Sequence, residues 1–261
     1  MHISIFFIIT FLIATTTTIK SQGFDWVYSW NSPFKAPKLF IGAYVGTGIS
    51  SEYVSDDVFS KEISCCKFDG GTGNAIRTGI MAEYWIAGDY SLQATLGYGS
   101  ESMDFAYEKS DSILVLEKSG RYAPKNMKRI FDLAYTGQTV DFGLIGKTRI
   151  ASTHFSIATG FSLSAPVSAF EANIQTTYTV EGQEINLERT FPTILTDEVV
   201  SRSAVLFKPM VRCEYDIAVQ KGIYLKAFLQ TDYTLNSRVT NPGNWRSFTM
   251  LGGIAIMLGY Y

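Results

Sequence analysis

The sequence has almost no surplus of charge, few cysteines and, beyond its N-terminus, no long apolar run. Its 22 Lys and Arg residues nearly balance its 24 Asp and Glu residues, so neither nucleic-acid binding nor an acidic tail is indicated. No run of 18 apolar residues follows the N-terminal segment, which argues against a transmembrane helix. No sustained 3.6-residue periodicity marks a core helix. The 261 residues, 14% of them aromatic, therefore favour one folded unit built from strands.

Apolar and polar residues alternate over about ten positions in several stretches of the chain. In the segment 205–217 the odd positions are apolar, whereas the even positions include Lys208, Arg212, Glu214 and Asp216. Because successive side chains of a strand point to opposite faces, one face of this segment is apolar and the other carries four charges. A soluble strand can show the same alternation, so the decision depends on how often the pattern recurs.

The pattern recurs often enough to predict a barrel. Eight strands are expected, at about 38–46, 76–86, 90–107, 139–150, 154–164, 203–219, 223–235 and 247–260. Three connections are short enough for hairpin turns, namely 87–89, 151–153 and 220–222. The other four are long, at about 47–75, 108–138, 165–202 and 236–246. The predicted fold is therefore all-β: an eight-stranded antiparallel up-and-down transmembrane β-barrel with four long loops and three short turns.

The same parity assigns a set of charged residues to the inner face of the barrel. These predicted lumen residues are Arg77, Glu83, Asp141, Lys147, Arg149, Lys208, Arg212, Glu214, Asp216, Lys226 and Asp232. The set is nearly neutral, which indicates charges paired across a narrow lumen rather than the single-sign ring of an ion-selective pore. Side chains can fill the interior of an eight-stranded barrel, so we expect the lumen to be largely closed.

The outward-facing positions carry no Lys or Arg, each of which would cost on the order of 2–4 kcal/mol at the midplane of a bilayer. Four aromatic residues, Tyr84, Trp85, Tyr90 and Tyr98, flank the first short turn. Two interpretations are open. These residues form part of an aromatic girdle at the periplasmic interface, or they reflect only the ordinary preference of aromatic residues for strands.

The N-terminus predicts export. An apolar stretch at 3–14 suits a secretory signal peptide over residues 1–22, although Met1 and His2 supply no Lys or Arg before it. The alternative is a short hydrophobic strand or anchor. An N-terminal extension is expected at 23–37 and the outer-membrane β-barrel at 38–261, which places the protein in the cell outer membrane of a Gram-negative bacterium.

The cysteines and histidines give little support for chemistry. Cys65 and Cys66 are adjacent in a Gly-, Ser- and Asp-rich segment and Cys213 is on a predicted strand, so at most one intramolecular disulfide can form. Without His or Asp at ligand spacing, the cysteine pair makes no metal site. His154 is the only histidine after signal removal, and it lies beside a predicted short turn. We therefore expect no enzyme activity, no metal and no cofactor.

One family resemblance adds to this interpretation. The eight strands, the alternating loop lengths and the segment 65–73 (Cys-Cys-Lys-Phe-Asp-Gly-Gly-Thr-Gly) ahead of 78–84 resemble outer-membrane β-barrel domains of the OmpA-like and PorT-like superfamily. The adjacent cysteines particularly resemble barrels of the Bacteroidetes and Chlorobi lineage. The resemblance implies a barrel that anchors the protein in the outer membrane, with external loops that supply binding.

Two functions of different class remain open. The first is a non-enzymatic structural or adhesive anchor whose extracellular loops contact partners and whose lumen is closed by paired charges. The alternative is a narrow pore or transport barrel, or a lipocalin-like barrel that binds a small ligand. The expected partners are outer-membrane lipid, the barrel-assembly machinery during insertion, and surface or periplasmic proteins whose identity the sequence leaves unknown.

Overall fold

The chain folds almost entirely into antiparallel strands. The computed structural model describes residues 37–55, 68, 70–87, 89–116, 120–150, 153–168, 171–180, 183–185, 193–196, 201–220, 222–241 and 244–260. The predicted signal peptide, all but the last residue of the predicted extension, and Cys65 and Cys66 lie outside these residues. Over the same ranges, no helix is long and apolar enough to cross a membrane.

Eight of the thirteen strands in the described ranges close into a ring. They are β1 (Leu39–Val54), β2 (Gly70–Ala87), β3 (Tyr90–Leu116), β4 (Tyr122–Arg149), β5 (Phe155–Pro166), β10 (Leu206–Gln220), β11 (Ile223–Tyr233) and β13 (Trp245–Tyr260). Each pairs with the next in this order, and β13 pairs with β1, always antiparallel. Closure leaves no edge strand within the ring. The predicted eight-stranded antiparallel up-and-down barrel is confirmed.

The short connections lie at one end of the ring. Between β10 and β11 the turn contains Gly222, whose φ of 81° is a left-handed conformation that only glycine adopts readily. The carbonyl of Gly222 accepts a hydrogen bond from the backbone N–H of Gly259, 2.8 Å away. This contact ties the turn to the end of β13, so the short-turn end of the barrel is internally braced.

Both faces of the ring follow the parity of the sequence. On β10 the even-numbered side chains from Leu206 to Asp216 are buried, whereas Phe207, Val211, Tyr215 and Ile217 on the odd positions are exposed. In a soluble protein such a surface would be unusual, because 38–48% of each of these apolar side chains is accessible. The barrel therefore has an apolar exterior and a polar interior.

At the other end, the strands run further than the sequence indicates. β1 continues to Val54 and β2 begins at Gly70, within the predicted loop 47–75. The predicted loop 108–138 is mostly strand, because β3 continues to Leu116 and β4 begins at Tyr122. Here charged residues fall on both faces, so no apolar parity marks the strands. Backbone pairing joins β3 to β4 along this extension, in a register that runs without a break from Tyr90 opposite Thr148 to Leu116 opposite Tyr122.

Five shorter strands lie in the other long connections. They are β6 (Glu171–Val180), β7 (Gln183–Ile185), β8 (Thr193–Thr196), β9 (Ser201–Arg202) and β12 (Val239–Asn241). β6 pairs with the first half of β4, and β7 and β8 pair with β6, which extends the barrel wall into a sheet beyond the ring. β9 and β12 form a separate two-stranded sheet. The predicted loop 165–202 is therefore partly folded.

Trp85 does not fit the first of the two interpretations of the aromatic residues around the first short turn. An aromatic girdle would place it on the outside with Tyr84, Tyr90 and Tyr98, but it is only 8% accessible. Position 85 shares the parity of Arg77 on β2, which is the inward parity. Tyr84, Tyr90 and Tyr98 are exposed on the outside as expected.

Glycines allow the inner wall to close where strands β1 and β13 pair. Gly46 and Gly253 lie opposite each other in the register. A Cβ atom at Gly253 would overlap the carbonyl oxygen of Val45 and the ring of Phe228. Next to it, Gly252 faces outward, and a Cβ there would meet no atom within 4 Å.

These two neighbours give a matched test of the packing. Gly253→Ala is expected to lower the free energy of unfolding by about 1–3 kcal/mol, because backbone and ring atoms must shift to admit the methyl group. Gly252→Ala is expected to change it by less than about 0.5 kcal/mol, since the position is open. Urea unfolding of the folded barrel in lipid vesicles measures both, and equal effects would contradict the assignment of faces.

Candidate functional site in the barrel interior

The structure places all eleven predicted lumen residues on the inner wall. Each is buried, with no more than 5% of its surface accessible. Four strands contribute them: β2 holds two of these residues, β4 three, β10 four and β11 two. β2 and β10 lie opposite each other in the ring, so their side chains meet across the lumen.

A first cluster lies towards the short-turn end of the lumen and joins two ammonium groups to three carboxylates. Lys147 Nζ lies 2.7 Å from Glu214 Oε2, 3.0 Å from Asp216 Oδ2 and 3.3 Å from Glu83 Oε1. Lys226 contacts the same three carboxylates and donates a hydrogen bond to Glu83. Because these five residues come from β2, β4, β10 and β11, the cluster crosses the lumen and ties four strands together.

A second cluster lies nearer the long-loop end and centres on Arg77. Its guanidinium group binds Asp232 in a bidentate fashion, with N–O distances of 2.6 Å and 3.1 Å. Asp141 and Glu101 approach the same guanidinium group at 3.7 Å and 3.8 Å. Bidentate pairing of this kind fixes the geometry of both side chains as well as their charges.

Two amide side chains connect the clusters. Arg212 donates hydrogen bonds to the side-chain oxygens of Gln93, at 2.8 Å, and Gln230, at 3.0 Å. Gln93 in turn donates to Glu214 of the first cluster, and Gln230 donates to Asp232 of the second, each at 3.1 Å. The polar interior is therefore one continuous hydrogen-bonded network rather than two separate groups.

A third group of charges, which the predicted lumen set does not include, lies at the long-loop end. Arg238 contacts Glu52 at 3.1 Å, donates a hydrogen bond to Glu101 and donates another to Ser247 at 3.0 Å. Glu101 has the inward parity of β3, so the alternation in the sequence was sufficient to predict its position. Glu52 and Arg238, in contrast, lie in segments that the sequence indicates are loops.

Arg238 belongs to the connection that folds over this end of the barrel, beyond the strands that form the apolar exterior. Burial alone would lower the pKa of Arg238, but the carboxylates of Glu101 and Glu52 raise it above its usual range. The guanidinium group therefore stays charged, and it holds the segment before β12 against β1 and β3 through these ion pairs.

Aromatic side chains border the network at both ends. At the long-loop end, the rings of Phe105 and Tyr135 pack edge-on against Trp245, with centroids 5.8 Å and 5.2 Å away. At the short-turn end, Trp85 lies beneath the guanidinium group of Arg149, 4.1 Å from its ring centroid. Stacking on the aromatic face stabilises the charged guanidinium group at the end of the polar network.

Small cavities lie within the network. One is bordered by Arg77, Asp141 and Arg212, and another by Tyr135, Arg238 and Trp245. Each of these has a volume of about 20 Å³, which is room for about one water molecule.

The remaining candidates from the sequence lie apart from this network. The His154 ring lies 5.9 Å from the ring of Tyr215, just before β5 at the short-turn end. Cys213 is a free thiol on the outward parity of β10. The described residues contain no group of three or more His, Cys, Asp or Glu side chains arranged to hold a metal ion.

Fold and interior together define the class of this protein: a closed eight-stranded β-barrel with an apolar outer face and a charge-paired core. No family model matches the sequence, and a comparison of the sequence with those of curated proteins found no match. Membership of the OmpA-like and PorT-like superfamily therefore stays a prediction.

Several solved structures are similar to this chain at low identity. Neisserial surface protein A is 15% identical, with 85% of this chain and 99% of that chain covered and a TM-score of 0.31. The outer membrane protease OmpT from Escherichia coli is 11% identical, covering 88% and 99%, with a TM-score of 0.30. Ail of Yersinia pestis is 8% identical, covering 83% and 98%, with a TM-score of 0.26. At this level of likeness, the fold rests on the strand pairing of the chain itself.

A double-mutant cycle tests whether the interior charges act as pairs. Arg77→Met is expected to lower the free energy of unfolding by about 3–5 kcal/mol, because it leaves Asp232 as a buried charge without its bidentate partner. Arg77→Met combined with Asp232→Asn is expected to cost less than the sum of the two single changes, by about 0.5–3 kcal/mol. Additive losses in urea unfolding would show that the pair contributes no coupling.

Proposed function

We propose that the protein is a non-enzymatic β-barrel of the outer membrane of a Gram-negative cell, which anchors an adhesive surface outside the cell. The exposed apolar exterior supports the location. The outward positions of β11 from Ile223 to Tyr233 and of β10 from Phe207 to Val219 include no charged residue. A hydrocarbon environment suits such a wall. In a closed barrel the backbone N–H and C=O groups of every strand of the ring pair with a neighbouring strand, so no open edge faces the lipid.

The two ends of the barrel then face different compartments. Short turns such as the one at Gly222 face the periplasm in this proposal, and the long connections face the outside. Export through the predicted signal peptide and insertion by the barrel-assembly machinery belong to the same proposal. Outer-membrane lipid is the partner of the apolar wall.

The charge-paired interior supports a largely closed lumen. Side chains from opposite walls meet in the clusters around Lys147 and Arg77, and the cavities beside them have room for about one water molecule each. This filling favours an anchor over a transport pore. A lipocalin-like barrel has the reverse distribution, with apolar side chains inside, so the polar interior also disfavours that alternative.

The observation that carries the adhesive part of the proposal is the sheet that projects beyond the apolar wall. β3 pairs with β2 only as far as Phe105, opposite Gly71, and then continues to Leu116. Along this extension it pairs with β4, which pairs in turn with β6. A projecting sheet rooted in a rigid barrel presents backbone and side chains at a fixed distance from the membrane, as a contact surface requires.

The position of His154 supports the non-enzymatic part. A hydrolytic site built on histidine needs this residue within hydrogen-bond reach of a nucleophile or water. His154 lies at the short-turn end, at the opposite end of the barrel from the projecting sheet. Any substrate outside the cell would therefore be separated from it by the filled lumen.

Matched substitutions on β10 test the membrane location. Val211→Arg, near the middle of the apolar wall, is expected to lower the free energy of unfolding in lipid vesicles by about 2–4 kcal/mol. Val219→Arg, at the short-turn end of the same outward face, is expected to lower it by no more than about 1 kcal/mol, since arginine reaches the interface there. Equal losses at both positions would exclude a bilayer around β10.

Shortening the projecting hairpin tests the adhesive function. In the variant, residues 107–131 are replaced by a two-residue turn between Ala106 and Asp132, which face each other in the register. Beads coated with nanodisc-embedded protein are added to cells that lack the protein and to cells that display it. The intact protein is expected to attach beads to at least one of the two cell types, and the shortened protein to lose most of that attachment.

A control establishes that the shortened barrel is folded, by its resistance to protease and its shifted mobility on unheated gels. If intact and shortened proteins attach equally, the hairpin is not an adhesive surface.

A further inference from the structure

One edge of the projecting sheet has no neighbour among the described strands. From Ala106 to Leu116, β3 pairs with β4 on one side, while its ladder with β2 on the other side ends at Phe105. From Ala106 to Val115 the side chains are exposed or partly exposed, with Leu114 69% exposed. Backbone N–H and C=O groups on such an edge are a template for pairing with another strand.

The sequence of this edge is complementary to itself. Lys109 and Asp111 stand on either side of Ser110 and share one face of the strand. If two copies of the edge meet antiparallel with Ser110 opposite Ser110, Lys109 of each copy faces Asp111 of the other. Opposite charges placed directly across an antiparallel pair are favourable.

We propose that the protein binds a second copy of itself through this edge, by antiparallel pairing of residues 106–114 about a two-fold axis at Ser110. In this register Tyr107 lies opposite Ile113, and Ala106 lies opposite Leu114. Aromatic and aliphatic pairs of this kind stabilise cross-strand contacts. The interface is isologous, because the same patch serves on both copies.

Neighbouring registers are disfavoured by the same charges. A shift that centres the pairing on Lys109 places this residue opposite its own copy, and a shift that centres it on Asp111 does the same for the two carboxylates. Like charges directly opposite each other are destabilising. The charges therefore select one register as well as stabilising it, which is how specific interfaces exclude alternatives.

The geometry of the sheet determines where the second copy lies. Antiparallel pairing of identical strands requires a two-fold axis perpendicular to the sheet. Because the projecting sheet continues the barrel wall, that axis runs parallel to the plane of the membrane and outside it, and the two barrels point in opposite directions. The partners then belong to facing membranes, so the contact joins two cells. This step rests on the proposed outer-membrane location and adhesive function.

Both charged side chains have the capacity for a further partner. Lys109 Nζ lies 3.8 Å from Asp111 Oδ1, and Asp111 also accepts a hydrogen bond from Arg129 on β4. A carboxylate has about four acceptor positions, so these contacts leave room for another donor. The side chains of Lys109 and Asp111 are 38% and 28% accessible, which allows a partner to reach them.

Charge reversal on displayed protein tests the pairing, with cells of each type mixed and clumping measured by flow cytometry. Cells with wild-type protein are expected to clump with one another. Lys109→Asp and Asp111→Lys are each expected to reduce clumping to the level of cells without the protein, because each variant faces itself with like charges. A mixture of the two variants is expected to clump again. In the mixed pair one copy carries acidic groups at both positions and the other carries basic groups, so every facing pair is of opposite charge.

Glu108→Lys is the matched control. It makes the same charge change as Asp111→Lys on the other face of the strand, where Glu108 pairs with Lys128 of its own chain and faces Ser112 in the proposed register. Its clumping is expected to equal that of the wild type. Protease resistance and gel mobility show that each variant is assembled.

Three results would overturn the proposal: clumping by either single reversal variant at the wild-type level, no clumping in the mixture of assembled variants, or loss of clumping in Glu108→Lys. The proposed adhesive function fails on a different result, equal attachment by the intact and the shortened proteins. If beads carrying the intact protein attach only to cells that lack it, the adhesive function stands and self-pairing is wrong.

Discussion

The interior of an eight-stranded barrel is too narrow for bulk water, so every charge that it encloses must find an opposite charge or a hydrogen-bond partner. The rest of this structure depends on that constraint. Among the described residues, buried cations and buried anions occur in nearly equal number, seven and eight. Glu83, Glu214 and Asp216 share Lys147 and Lys226, so losing one member disturbs the others. Cross-lumen ion pairs thus connect strands that do not pair through their backbones.

The constraint on the outside is the reverse one. The outward face of the apolar wall carries no charge, and where strands pass beyond this wall charges return, as at Asp104, Asp132 and Arg246 on the outward parity of β3, β4 and β13. In the proposed function, the same ring of strands serves as anchor and as support. Because β3 and β4 run from the short-turn end to the projecting hairpin without interruption, the proposed contact edge is continuous with the barrel wall.

Parity explains how much of this structure is predictable from the sequence. Within the apolar wall each position faces either outward or into the lumen, so the residue type, apolar as at Val211 or charged as at Arg212, indicates the face. Beyond the wall both faces meet polar surroundings, and the signal disappears. Alternation therefore gives no sign of the strand extensions around Glu52 and Ser110. Alternation also does not predict which charged residues form ion pairs, because the contact between Arg77 and Asp232 joins residues 155 positions apart. Such pairing depends on ring closure, which alternation alone does not specify.

The long-loop end shows how the polar core and the outer surface are linked. Arg238 enters the barrel from the connection between β11 and β13 and binds Glu101 on β3 and Glu52 on β1. Just beyond it, Phe105, Tyr135 and Trp245 pack into an aromatic layer. These rings lie at the level where the projecting sheet begins, between the charged interior and the proposed contact surface.

Spin-label accessibility along β10 is the most direct measurement of the central claim that hydrocarbon surrounds the uncharged face. Single cysteines at successive positions from 207 to 217, in a background with the native cysteines replaced, are labelled in vesicles. Their exposure to oxygen, which concentrates in lipid, is compared with exposure to a water-soluble nickel complex. High oxygen accessibility is expected at odd positions, and low accessibility to both reagents at even positions. High nickel accessibility at the odd positions, or no alternation, would contradict the claim.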